Sequence, residues 1–177
     1  MSTALLIIDV QNAFFCTPPL AHQAETVLGH INQLTERARA QATPVIWVQH
    51  HAPDLPTHSE AWALPDALCV AASDHLVSKN TPDAFLDTSL GGLLNALHVR
   101  HLVICGFATE YCVDTTTRSA MARGFHVSLV SDAHTTRDKA HASAITIMAH
   151  HNATLSSIQS FNGKTTCVAA ASVQFGH

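Results

Sequence analysis

Charged side chains are scarce. Asp, Glu, Lys and Arg make up only 12% of the 177 residues. A surface this poor in charge is expected to be partly covered by another subunit, in a homodimer or homotetramer. Basic runs are missing as well. The net charge is -4, and no Lys/Arg stripe exists to follow a phosphate backbone, so nucleic acid is excluded as a partner. No apolar run approaches the length of a membrane span, which excludes a membrane partner. Met1-Ser2-Thr3 has no basic residue, and the apolar run from Ala4 to Ile8 is too short for a signal-peptide core. A soluble, cytoplasmic protein is expected. The five cysteines are Cys16, Cys69, Cys105, Cys112 and Cys167, an odd number without a CxxC pair, which argues against a disulfide framework. Linkers, repeats and low-complexity segments are absent, so 1–177 is expected to form one domain.

What is present is a rhythm of short aliphatic runs and helical spacings. Ala4 to Ile8 is a continuous apolar run, as expected of a strand covered on both faces. Val27, Ile31, Leu34 and Ala38 follow with helical spacing, closed by Thr43-Pro44. Val45 to Val48 is a second strand, and 50–65 reads as a long loop. His75 to Val77 is a third strand, and Leu90, Leu93, Leu94 and Leu97 mark a helix. Leu102 to Cys105 is a fourth strand. Val113, Thr117, Ala120 and Met121 give a helix capped by Gly124. Val127 to Val130 is a fifth strand. A helix through Ala140, Ala144, Ile147 and Met148 leads to a sixth, Thr154 to Ile158. Residues 163–177 fit no single pattern. The alternation predicts an α/β three-layer, doubly wound fold, with a six-stranded, mainly parallel sheet flanked by helices.

In such folds the site lies at the carboxyl ends of the strands. Strand one ends in Asp9, strand three in Lys79, and strand four leads through Gly106 to Cys112. A free thiol, with a pKa of about 8.5, is mostly protonated at neutral pH. An ammonium group and a helix N-terminus both stabilise its thiolate. With Thr109 as N-cap, Glu110, Tyr111 and Cys112 form a first helical turn that places the sulfur at such a terminus. Asp9 is then placed to move protons, and backbone N–H groups at Ala108 and Cys112 to hold an oxyanion. Each residue also has an ordinary role: Asp9 as a cap, Lys79 as a solvated charge, Cys112 as a packed hydrophobe.

Three segments together resemble the isochorismatase-like hydrolases. Leu5 to Phe14 (LLIIDVQNAF) resembles their apolar strand followed by D-x-Q-x-x-F. Ser78 to Phe85 (SKNTPDAF) resembles their K-x-x-x-S/D-A-F element. Cys105 to Thr116 (CGFATEYCVDTT) resembles their G-x-x-T-x-x-C-V-x-x-T signature. The segments occur in the family's order. The resemblance implies an Asp-Lys-Cys triad on Asp9, Lys79 and Cys112, a cis peptide at Phe107-Ala108, and a six-stranded parallel sheet in dimers or tetramers. It implies hydrolysis of a small amide, carbamoyl or lactam-like molecule through a covalent thioester, with no cofactor.

The departures narrow this. The family's nicotinamidases carry a D-x-H metal motif after strand two, where this chain reads Gln49-His50-His51. The carboxylate ligand is missing, which counts against nicotinamidase. No metal is expected, with zinc on His51 and His58 the alternative to solvated loop histidines. Phe14 and Tyr111 are the aromatics expected to wall the substrate pocket. Asp132 reads as a structural helper, and Glu110 as a residue that satisfies the helix dipole. Two other functions stay open: ether hydrolysis with Asp9 as acid, and a redox-sensing or ligand-binding module on the same fold.

Overall fold

The computed structural model describes residues 2–176. Six strands form one sheet: β1 Thr3–Ile8, β2 Val45–His50, β3 His75–Lys79, β4 His101–Phe107, β5 His126–Thr135 and β6 Thr165–Val168. Their order is β3-β2-β1-β4-β5-β6, and every pairing is parallel. The helices are α1 Asn12–Phe15, α2 Ala24–Ala40, α3 Leu90–Ala96, α4 Asp114–Ala122 and α5 Ala144–Ser157. A π-helical turn, Thr109–Val113, runs directly into α4. Among the described residues, no helix is long and apolar enough to cross a membrane.

The central strand explains the layering. All six residues of β1 are buried. Leu5 and Ile7 pack with Val27, Ile31 and Leu34 of α2 on one face. Ala4, Leu6 and Ile8 pack with Leu90 and Leu94 of α3, Met121 of α4 and Leu155 of α5 on the other. A strand buried on both faces must be apolar throughout, which is why its sequence shows no alternation. Each such Leu or Ile contributes roughly 1.5–3 kcal/mol by leaving water. The chain winds outward in both directions from β1 and β4, so a crevice opens where their carboxyl ends diverge.

One predicted strand is wrong. Thr154 to Ile158 is not a strand: Thr154–Ser157 form the last turn of α5, and Ile158 follows it as the C-cap. The sixth strand is Thr165–Val168, paired with Val127–Val130 of β5. Local β-propensity loses here to packing. Ser143 caps the helix by accepting from the Thr146 N–H, and Ala144, Ile147 and Leu155 share one buried face. β5 also runs to Thr135, five residues beyond its predicted end.

Two contacts hold the crevice in shape. Gly106 has φ 123, and a Cβ there would lie 2.1 Å from the Ile8 carbonyl oxygen. Only glycine lets β4 approach β1 this closely beside Asp9. His134, fully buried, joins three elements. Its Nδ1 lies 2.8 Å from Thr109 Oγ1 and its Nε2 2.7 Å from Asn152 Oδ1. The amide oxygen can only accept, so Nε2 carries the hydrogen and Nδ1 accepts from the Thr109 hydroxyl. β5, the π-helical turn and α5 are thereby tied together.

Gly106→Ala is expected to cost at least about 3 kcal/mol, read as a lower urea midpoint with unchanged slope. An unchanged midpoint would show that the two strands can part at no cost. His134 supplies a pH test. Burial holds its pKa below the ordinary histidine value. Below about pH 6.5 the unfolded chain binds a proton that the folded chain does not. Stability is therefore full above that pH and falls as the pH drops towards the folded pKa. His134→Gln should flatten that fall by up to about 1.4 kcal/mol per pH unit, measured by urea unfolding from neutral to mildly acid pH. An identical slope in both proteins would remove His134 from the account.

Candidate active site

Asp9, Lys79 and Cys112 meet at the crevice. Asp9 leaves β1 with φ 51, a left-handed conformation that Asp tolerates better than most residues. Its N–H donates to the Val48 carbonyl at 2.8 Å, so the carboxylate is held at the end of the β1–β2 ladder. Lys79 closes β3, and its side chain is fully buried. Its Nζ lies 2.7 Å from Asp9 Oδ2, 3.0 Å from the Thr81 carbonyl, 3.3 Å from His50 Nδ1 and 3.4 Å from Cys112 Sγ. Asp9 is 2% exposed, and its Oδ1 has no hydrogen-bond partner among the described residues.

The electrostatics differ from the sequence-based expectation in one respect. A thiolate stabilised by Lys79 and a helix terminus was expected. Instead, burial pushes the Cys112 thiol up to about 12, and the Asp9 charge adds to the rise; Lys79 opposes both more weakly. Both effects favour the neutral thiol at rest. Burial also raises the Asp9 pKa, against the pull of Lys79. The helix-terminus argument weakens for a second reason. Thr109 is not the N-cap: Ala108 holds that position, and the Thr109 hydroxyl is committed to His134. The Phe107-Ala108 peptide is cis.

Above these three residues lies a cavity of about 360 Å³. Asp9 and Cys112 reach it from below. Its walls include Phe14, His50, Phe107, Tyr111, Arg137 and Lys139. Phe14 stacks on Phe107 with ring centroids 4.8 Å apart, and the Arg137 guanidinium covers both rings. Tyr111 is half exposed at the mouth, with Lys139 Nζ 5.1 Å from its ring centre and 3.1 Å from Glu110 Oε1. Glu110 is thus paired with Lys139. A larger open groove of about 740 Å³, between α1 and residues 59–67, contains none of the three central residues.

Phe14 and Tyr111 both line the cavity. His50, Arg137 and Lys139 were missed. The last two follow the carboxyl end of β5, which the sequence places too early. Asp132, which lies beyond the predicted end of strand five at Val130, is inside β5 and accepts from the Ala170 N–H. Gln11 was quoted only as a motif position. It is fully buried and grips the His50 backbone from both sides: Oε1 accepts from the His50 N–H at 2.8 Å and Nε2 donates to the His50 carbonyl at 3.0 Å. Trp47 and Phe85 are core residues: Trp47 donates to Asp74, and Phe85 stacks on Phe125. His58 packs against Trp62, while the His51 N–H donates to the Lys79 carbonyl. Among the described residues, no three His, Cys, Asp or Glu side chains are grouped to hold a metal ion.

Known proteins are similar to this chain in sequence and in fold. Residues 3–160 match the isochorismatase domain. Streptothricin hydrolase of Streptomyces noursei is 38% identical over 139 residues, covering 76% of this chain and 50% of that protein. The chain thus spans about half the length of that relative. Nicotinamidase 3 of Arabidopsis thaliana is 28% identical over 147 residues, covering 73% of this chain and 71% of that one. The crystal structure of an isochorismatase from Pseudomonas putida KT2440 superposes with a TM-score of 0.87 at 26% identity, covering 97% of this chain and 90% of that one. The all-parallel sheet, the crevice at its strand ends and the domain match over most of the chain lead to one conclusion: this chain belongs to the isochorismatase family.

Proposed function

We propose that this chain hydrolyses the C–N bond of a small amide, carbamoyl or lactam-like substrate through a thioester on Cys112. One observation carries the reading: Lys79 Nζ bridges Asp9 and Cys112, at 2.7 and 3.4 Å, beneath a cavity of small-molecule size. Streptothricin hydrolase and nicotinamidase, both relatives, carry hydrolase names that agree with it. The Gln49-His50-His51 sequence, in place of a D-x-H motif, directs the substrate away from nicotinamide.

The chemistry follows from the resting protonation. The thiol proton passes to Asp9, whose Oδ1 has no other partner, as Sγ forms a bond to the substrate carbonyl carbon. Lys79 Nζ stabilises the charge that develops on sulfur. The carbonyl oxygen becomes an oxyanion held by the backbone N–H groups of Ala108 and Cys112. The tetrahedral intermediate collapses, the C–N bond breaks, and Asp9 delivers its proton to the leaving nitrogen. A water then attacks the thioester with Asp9 again as base, which releases the acid and restores the thiol. Phe14, Phe107 and Tyr111 bind the apolar part of the substrate, while Arg137 and Lys139 favour electron-rich groups at the mouth. The raised thiol pKa weighs against a redox sensor, because sensor cysteines are low-pKa thiolates.

The test is a panel of small amides, ureido compounds and lactams, scored by release of ammonia or amine. Cys112→Ala is expected to abolish turnover, and Asp9→Asn to lower kcat by about 10²- to 10⁴-fold. Full turnover in Cys112→Ala would overturn the covalent route and leave Asp9 as the sole chemical group.

A further inference from the structure

Lys79 Nζ has more acceptors than hydrogens. Asp9 Oδ2, the Thr81 carbonyl, His50 Nδ1 and Cys112 Sγ surround it at 2.7, 3.0, 3.3 and 3.4 Å. A lysine side chain donates at most three hydrogens. The two oxygens are closest, and one belongs to an ion-paired carboxylate, so they keep theirs. His50 and Cys112 therefore compete for the third.

From this competition we infer that His50 is a positioning residue. It holds the third hydrogen of Lys79 away from Cys112 Sγ at rest and gives it up when the sulfur becomes anionic. The inference rests on the reading of Cys112 as nucleophile. A neutral thiol sulfur is a weak acceptor, and an unprotonated imidazole nitrogen is a better one. A thiolate reverses that order, because hydrogen bonds to ionised acceptors are about twice as strong as those between neutral groups. His50 thus keeps Lys79 from engaging the resting thiol, and lets the Lys79 interaction with sulfur strengthen as the carbonyl is attacked.

Independent features of the structure fix His50 for this task. His50 and Lys79 are register partners at the ends of β2 and β3, so their side chains emerge side by side. Gln11 clamps the His50 backbone through two hydrogen bonds, which fixes the point from which the imidazole leaves β2. With Nδ1 accepting, the ring hydrogen lies on Nε2. Burial and the neighbouring Lys79 hold the imidazole pKa below the usual histidine value, so Nδ1 is free to accept at neutral pH. His51 and Asp54 also act on His50, in opposite directions. Around Cys112 the charged groups are Asp9 and Lys79 below, with Arg137 and Lys139 on the cavity wall.

The test compares His50→Leu with His50→Asn in the full chain, by iodoacetamide labelling of Cys112 mapped by mass spectrometry across neutral to mildly alkaline pH. Leu and Asn share one branched skeleton of four heavy side-chain atoms, so they differ chiefly in polarity. Only Asn puts an oxygen where Nδ1 stood. His50→Leu is expected to label about tenfold faster than His50→Asn at each pH, because Lys79 turns its third hydrogen to sulfur. Equal rates, or faster labelling in His50→Asn, would overturn the inference. A second measurement needs no variant. The ¹⁵N spectrum of the wild-type imidazole should show His50 hydrogenated on Nε2 and bare on Nδ1; a hydrogen on Nδ1 would overturn the inference as well. Turnover is in neither readout. Failure to hydrolyse any amide therefore counts against the reaction alone, and equal labelling counts against His50 alone.

Discussion

A fully buried lysine paired with a buried carboxylate is the constraint on which the site depends. Removing both charges from water costs several kcal/mol each, and their attraction repays that cost only with good geometry and further hydrogen bonds. Lys79 meets the condition through Asp9 at 2.7 Å and the Thr81 carbonyl at 3.0 Å. Such a pair adds little to stability by itself, and a packed apolar pair would serve the fold as well. What it supplies is a charged donor beside a thiol and a carboxylate with one oxygen left for a proton. The low-dielectric setting strengthens each of these interactions.

The sheet exists in the form that brings these groups together. β1 and β4 are central, adjacent and buried, and the crossovers leave them in opposite directions. Asp9 and the turn that carries Cys112 therefore emerge side by side. Gly106 sets how close they come, and the tie from His134 to Thr109 holds the turn against β5 and α5. The fold contributes position, and burial contributes the protonation state. The thiol rests neutral because burial and Asp9 together outweigh Lys79.

The elements legible in the sequence are those whose local pattern agrees with their packing. β1, β2 and β4 are aliphatic because both faces are covered, and α2 shows its buried spacing from Val27 to Ala38. The strand-end positions of Asp9 and Lys79, and the helical-turn position of Cys112 after β4, follow from that pattern and the parallel topology. Legibility fails where tertiary contacts override local preference. Thr154–Ser157 look extended, yet they complete a helix because Leu155 is needed in the core. The end of β5 is hidden because Ser131-Asp132-Ala133 reads as a polar break, and Arg137 and Lys139 were lost with it. The thiol protonation was misjudged because sequence shows which charges are near a sulfur but not how much water is excluded from it. His50 was quoted only as a departure from a metal motif. Its contact with Lys79 depends on the β2–β3 register, which no local pattern reveals.

The central claim is that Cys112 forms a covalent acyl intermediate with Asp9 as its proton acceptor. The most direct measurement is intact-mass spectrometry after acid quench of the chain mixed with p-nitrophenyl acetate, a small activated acyl donor, in wild type and Asp9→Asn. The account predicts a transient gain of one acetyl group, mapped to Cys112, that forms rapidly in the wild type and far more slowly in Asp9→Asn. Hydrolysis of the ester with no adduct on Cys112 at any quench time, or an adduct that forms at the same rate in Asp9→Asn, would contradict it.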